Sequence, residues 1–265
     1  LDTLGFPEGT LVKVPADDRL RLRAAPVAEA IARDRAAGPS PFAVVATAGT
    51  TNTGAVDALP ELADLAEREG LWFHVDAAYG GAAGLSRDYP GILDGIHRAD
   101  SVTVDAHKWF FVPFVAGGIL FRERSFAEEA FQNAAGYIPP SEAADLPPTD
   151  YLKQGLAGTR RFNALKVWMA LKHLGADWYA DIVDRQLRLT HKVAGAVEGL
   201  PGWSIAVPPA TAIVTFRYEP PAVKEAIAAG GAAGEQALEK RDRLQIRIAK
   251  VIQEEGKFWI SAAPV

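Results

Sequence analysis

Two apolar runs constrain this chain more than any other feature: LWFHVDAAYGG at residues 71–81 and DSVTVDAHKWFFVPF at residues 100–114. Both are rich in β-branched and aromatic residues, and both are short enough to be strands buried within a parallel sheet. Each brings a polar residue to the strand end where open α/β sheets place their ligands. Asp76 closes the first core segment, and Lys108 follows the second. The flanking pattern alternates in the same sense. Residues 26–37 predict a helix with Pro26 in its first turn and Gly38 as its stop, and PFAVVATAG predicts a strand. DALPELADLAEREG then predicts a helix with Asp57 as cap, Pro60 in the first turn and Gly70 at the end. A further strand is expected over residues 116–123. Strands alternating with helices give an α/β fold with a mainly parallel sheet and flanking helices.

The chemistry follows from what stands at those strand ends. A lysine between SVTVDA and WFFVPF is expected to be buried. A buried amine without a partner loses its charge readily and becomes a nucleophile able to form a Schiff base with an aldehyde. Pyridoxal phosphate is the commonest such aldehyde in enzymes, and its pyridine nitrogen needs an acid partner. Lys108 is the candidate for the covalent link and Asp76 for the acid. Each has a plainer reading: a strand-end lysine can reach water, and a strand-end aspartate often caps a turn. It is the pair, joined by strand, glycine turn, helix and strand, that points to a site. Gly80, Gly81 and Gly84 serve either close backbone passage near such a cofactor or a flexible turn.

HVDAAYGG followed by VDAHKWFFVP resembles the group II pyridoxal-phosphate-dependent amino acid decarboxylases, and within them the aromatic-L-amino-acid decarboxylases. The resemblance implies a type I aminotransferase-like fold, with residues 1–170 as the remainder of a large cofactor-binding domain and residues 171–265 as a smaller C-terminal α+β domain. It implies that Lys108 carries the cofactor, that Asp76 partners the pyridine nitrogen and that Ala78 packs against the ring. Thr50 of ATAGTTNTG is implied to lie beside the cofactor, and His107 near the Schiff base and the phosphate. Tyr137 falls where the family has its catalytic tyrosine, which protonates the carbanionic intermediate after carbon dioxide leaves. Asp105 departs from the pattern, since many relatives have Asn at this phosphate-contacting place. A carboxylate there repels a phosphate unless it is protonated or paired. Trp109, directly after the lysine, is more usual in relatives acting on aromatic substrates.

The activity implied is decarboxylation of an L-amino acid, aromatic by preference, in a cytoplasmic homodimer with a shared active site. The alternatives are aldehyde synthesis or acidic amino acid decarboxylation on the same scaffold, or a catalytically silent fragment or subunit. The family also has a long segment before the point matching Leu1, holding a cofactor-stacking aromatic residue and a phosphate-binding turn. Leu1 is therefore expected to lie inside a longer polypeptide, and the final FWISAAPV to be a small-domain strand.

Other features bound the reading without sharpening it. With 265 residues, 49% of them hydrophobic, the chain can bury a large core. A net charge of −5 gives no electrostatic reason to expect nucleic acid. No window approaches the roughly 18 uninterrupted apolar residues of a membrane helix. The sequence has no cysteine, which excludes disulfides and thiolate metal sites. His74, His97, His173 and His191 lack metal-ligand spacing. Residues 137–160 predict a long irregular loop, since prolines recur there and apolar anchors are few. Loops of this kind in enzymes are often lids. After it, Phe162, Leu165, Trp168 and Met169 fall on one face of a predicted helix, expected to face the core. Arg160 and Arg161 precede that helix as candidates to reach the site or pair across a dimer. Residues 177–200 predict a helix, 211–218 a strand and 235–256 a helix.

Overall fold

The computed structural model describes residues 2–131, 154–157 and 159–263. β1 (Ala43–Thr47), β2 (Trp72–Asp76), β3 (Ser101–Asp105) and β4 (Gly117–Phe121) form a sheet in that spatial order. The first three strands are parallel and β4 runs antiparallel to β3. Thr47 pairs with Asp76, and Asp76 with Thr103. The carboxyl ends of the parallel strands are thus nearly level, and the loops leaving them share one edge of the sheet.

Two helices cover one face of this sheet. α1 (Ala24–Ala37) ends on Gly38 at φ 107°, and α2 (Leu59–Glu69) ends on Gly70 at φ 66°, both in the left-handed region that glycine enters without penalty. Val44, Ala46, Phe73 and Val75 on the strands pack with Val27, Ile31, Leu62 and Leu65 on the helices. The alternation along β1 and β2 shows the other face to be far less covered, with Val45 55% exposed.

Asp57 does not cap α2, whose N-cap is Ala58. Its carboxylate instead accepts hydrogen bonds from Leu22 N–H and Thr47 N–H, each at 2.6 Å. The residue fastens the segment before α1 to the end of β1. Burial raises its carboxyl above the usual value, against the two hydrogen bonds that lower it.

α3 (Arg124–Ala130) follows β4, and α4 (Asn163–Glu198) is broken at Gly175 (φ 79°, ψ 163°). The expectation for its first half is overturned: Phe162, Trp168 and Met169 are 74%, 60% and 56% exposed. Helical periodicity shows that an apolar stripe exists, and nothing among the described residues covers this one. The second half of α4 is the core-facing part, with Val183 and Leu187 packed into the cluster beneath the sheet.

The C-terminal segment holds an antiparallel pair, β5 (Trp203–Ile205) and β6 (Phe216–Tyr218), and two packed helices, α5 (Pro221–Ala229) and α6 (Gly231–Glu254). Only the end of the strand expected over residues 211–218 forms, and β5 and α5 were not foreseen. Residues 257–263 pair with no strand, contrary to expectation. No described helix is long and apolar enough to cross a membrane.

Candidate active site

Three loops meet at the carboxyl edge of the sheet. In the first, after β1, Thr50 Oγ1 lies 2.7 Å from Thr53 Oγ1 and accepts from Ala55 N–H at 3.1 Å. In the second, after β2, Gly80 N–H donates to Ala48 O at 3.1 Å. A Cβ at position 80 would sit 2.2 Å from that oxygen, so glycine is required for the two loops to touch. Gly80 therefore serves contact between backbones.

Asp76 ends β2 with an exposed carboxylate. Its Oδ1 accepts from Ala78 N–H at 3.0 Å, so it does cap its turn. That is its one side-chain hydrogen bond among the described residues, which leaves the second oxygen for a ligand. Half-buried Ala78 accepts from Asp105 N–H at 3.1 Å through its carbonyl, joining this loop to the end of β3. His74 has a structural role, with Nδ1 2.8 Å from Ser101 Oγ and Nε2 3.2 Å from Thr103 Oγ1.

Lys108 differs from its expectation. Its side chain is 42% exposed, and Nζ lies 3.0 Å from Asp105 Oδ2. The turn after β3 bends back on itself, with Lys108 N–H on Asp105 O at 3.0 Å, and this lifts the side chain out of the core that its neighbours enter. The same pair answers the question raised by Asp105: the carboxylate has a cation beside it, and His107 Nε2 stands 3.9 Å from Oδ2. His107 is held by Ala116, whose carbonyl lies 2.9 Å from Nδ1, and by the edge-on ring of Phe114 at 4.8 Å.

Asp76 and Asp105, the last residues of β2 and β3, and Thr50, Ala78, His107 and Lys108, on the loops that follow β1, β2 and β3, thus share one sheet edge. Tyr137 lies outside the described residues. No group of three or more potential metal ligands occurs among the described residues.

Residues 7–219 match the model of the pyridoxal-dependent decarboxylase conserved domain. The chain belongs to this family. The chain is 39% identical to the aromatic-L-amino-acid decarboxylase of Bacillus atrophaeus, over 83% of this chain and 46% of that protein. It is 38% identical to the L-2,4-diaminobutyrate decarboxylase of Rhizobium meliloti (strain 1021), over 81% of this chain and 43% of that protein. The crystal structure of Oryza sativa TDC with PLP and tryptamine superposes with a TM-score of 0.85 at 27% identity, over 100% of this chain and 52% of that one. The chain spans under half the length of the two curated relatives. The fold is that of the family's type I enzymes, as the strand-end motifs implied.

The cofactor of the pyridoxal-dependent decarboxylases is pyridoxal phosphate, and the residues present fit it. An exposed amine and a carboxylate with a free oxygen stand at or just past the ends of adjacent parallel strands, the two groups that an aldehyde and a pyridine nitrogen require. Ala78 adds only a methyl group, which a flat ring can approach.

Trp109, read from sequence as a pointer to aromatic substrates, and Asp184, which the sequence did not single out, both shape this site. Trp109 is 4% exposed, stacks on Tyr79 and donates its indole N–H to Gln186 Oε1 on α4. It is a core residue, so its identity carries no direct information about a substrate side chain. Asp184, also on α4, is buried and accepts from Ser86 Oγ and from the backbone N–H groups of Arg87 and Asp88. It anchors the turn that follows the Asp76 loop. Burial works against its charge, but these hydrogen bonds prevail and hold the carboxyl below its usual value. A lowered carboxyl stabilises the fold above its unfolded value of about 4 and loses that contribution as pH falls through the folded value. Asp184→Asn should cost about 1–3 kcal/mol near neutral pH. The deficit should shrink as urea unfolding is repeated toward about pH 3. A deficit unchanged with pH would show that its charge is not what stabilises.

Proposed function

We propose that the protein carrying this chain is a pyridoxal-phosphate-dependent decarboxylase that converts an L-amino acid to its amine and carbon dioxide. The observation that carries this reading is the placement of Asp76 at the carboxyl end of β2 and of Lys108 just past that of β3, in a chain of this family. When bound, pyridoxal phosphate supplies an electron sink through its protonated ring. Lys108 Nζ would hold the cofactor through its aldehyde. Asp76 keeps the proton on the pyridine nitrogen, a fixed charge aimed where electron density builds up. Ala78 would support the ring, Thr50 and His107 would help hold the cofactor, and Asp105 is the carboxylate partner of Lys108 and His107.

Tyr137 returns a proton to the substrate α-carbon in this reading. Tyr137→Phe should divert product from amine toward aldehyde in air, as seen by mass spectrometry; an unchanged amine yield would remove Tyr137 from the mechanism. An aromatic substrate is supported by the Bacillus atrophaeus relative, while the nearly equal identity to a diaminobutyrate decarboxylase favours testing diamino acids beside it. The exposed apolar stripe of α4 suits a homodimer, and the absence of cysteine suits the cytoplasm. We divide the chain into a large domain over residues 1–170 and a small one over 171–265.

The test is borohydride reduction of the full-length protein with pyridoxal phosphate, peptide mapping, and carbon dioxide release from aromatic, acidic and diamino L-amino acids. A pyridoxyl group on Lys108 together with release from one class supports the reading. A protein that takes up no cofactor belongs to the catalytically silent alternative.

A further inference from the structure

The turns bearing Asp76 and Lys108 are braced by side chains assigned no part in the chemistry. Tyr79 lies three residues beyond Asp76, and Trp109 directly follows Lys108. Their rings stack at 5.2 Å between centroids and 12° between planes. On one side Trp109 is tied to α4 through Gln186. On the other, the Tyr79 hydroxyl faces the Thr211 side chain and the Ala212 backbone, between β5 and β6. Thr211 is fully buried, and its own hydroxyl donates to Gly54 O at 3.0 Å. Gly54 N–H in turn donates to Thr50 O at 2.8 Å. A Cβ on Gly54 would lie 2.1 Å from Thr211 Oγ1, so this junction leaves no room for a larger residue. One line of contacts therefore joins α4, the Lys108 turn, the Asp76 turn, the C-terminal segment and the Thr50 loop.

We propose that Tyr79 and Trp109 are positioning residues, whose stacked rings fix Asp76 and Lys108 relative to one another, with Thr211 setting where Tyr79 stands. The proposal rests on the assignment of Asp76 and Lys108 to the cofactor. Its physical basis is that Asp76 closes β2 while Lys108 stands three residues past the end of β3, and the sheet fixes strand ends better than it fixes side chains beyond them. A misplacement of about 1 Å can cost roughly a hundredfold in rate. Burial pushes the Tyr79 phenol up to about 12, so it stays protonated and uncharged near neutral pH. An aromatic pair contributes about 0.5–1.5 kcal/mol beyond its buried area, so packing alone predicts lower stability and an unaltered site.

Tyr79→Phe keeps the ring and removes the hydroxyl, Trp109→Phe keeps a ring and removes the N–H, and Thr211→Val removes the hydroxyl at nearly constant volume. In the full-length protein with pyridoxal phosphate, each should lower kcat about ten- to a hundredfold with KM nearly unchanged. Each should also weaken the visible circular dichroism of the bound cofactor. Borohydride should still label Lys108, so the cofactor assignment is judged separately from the brace. Without cofactor, the amides of Gly80 and Asp105, which link the loops to one another, should exchange hydrogen about tenfold faster in the variants. Wild-type kcat, dichroism and exchange in Tyr79→Phe and Thr211→Val, whatever their melting temperatures, would overturn the proposal. Faster exchange with an unchanged kcat would also overturn it, by showing a brace that the site does not need.

Discussion

Lys108→Ala in the full-length protein should leave no borohydride-reducible adduct on the peptide containing residue 108 and no detectable carbon dioxide release. The expectation is total because in the proposed role the amine is the group that bonds to the cofactor, and alanine offers no substitute. The fold should be indifferent. The Lys108 side chain is 42% exposed, and its ion pair with Asp105 is of the partly exposed kind that contributes about 0–1 kcal/mol. The turn itself is held by the backbone, through Lys108 N–H on Asp105 O and Phe111 N–H on Lys108 O at 3.1 Å, and by the buried Trp109 next door. Urea unfolding should thus place the variant within about 1 kcal/mol of the parent. A variant that still forms an adduct on another lysine and turns over would remove Lys108 from its assigned role.

The sequence foretold the strands that carry the candidate site better than it foretold their surroundings. β2 and β3 were legible because a run of apolar β-formers between glycine turns has few other solutions, and the helix ends at Gly38 and Gly70 because only glycine enters the left-handed region freely. Lys108 was misjudged because burial of neighbours does not imply burial of a residue whose turn reverses the chain. Asp57 was misjudged because an aspartate before a helix can be recruited by more distant N–H groups, here Leu22 and Thr47. The stripe from Phe162 to Met169 shows the general limit: periodicity reports that one face is apolar and is silent on what covers it. The partners of Tyr79, Trp109 and Asp184 lie roughly 80 to 130 residues away along the chain. Local pattern holds no signal for such pairings.

Asp76→Asn separates charge from shape at the other end of the site. Asparagine has the same size and keeps an oxygen to accept from Ala78 N–H, now 3.0 Å from Asp76 Oδ1. The turn should survive, and with an exposed side chain the change in stability should stay within about 0.5 kcal/mol. What is lost is the negative charge that the proposed function sets against the pyridine nitrogen. A neutral amide cannot keep that nitrogen protonated, so the electrons left by departing carbon dioxide find a poorer sink. Removing one preorganised electrostatic partner typically costs about 10²–10³ in kcat, or about 2.7–4 kcal/mol. Carbon dioxide release should fall by that factor while borohydride still labels Lys108, because the covalent link depends on the amine and not on the ring nitrogen. An Asp76→Asn protein with full turnover would mean that this carboxylate only caps its turn, and that the proton on the ring is held by another group.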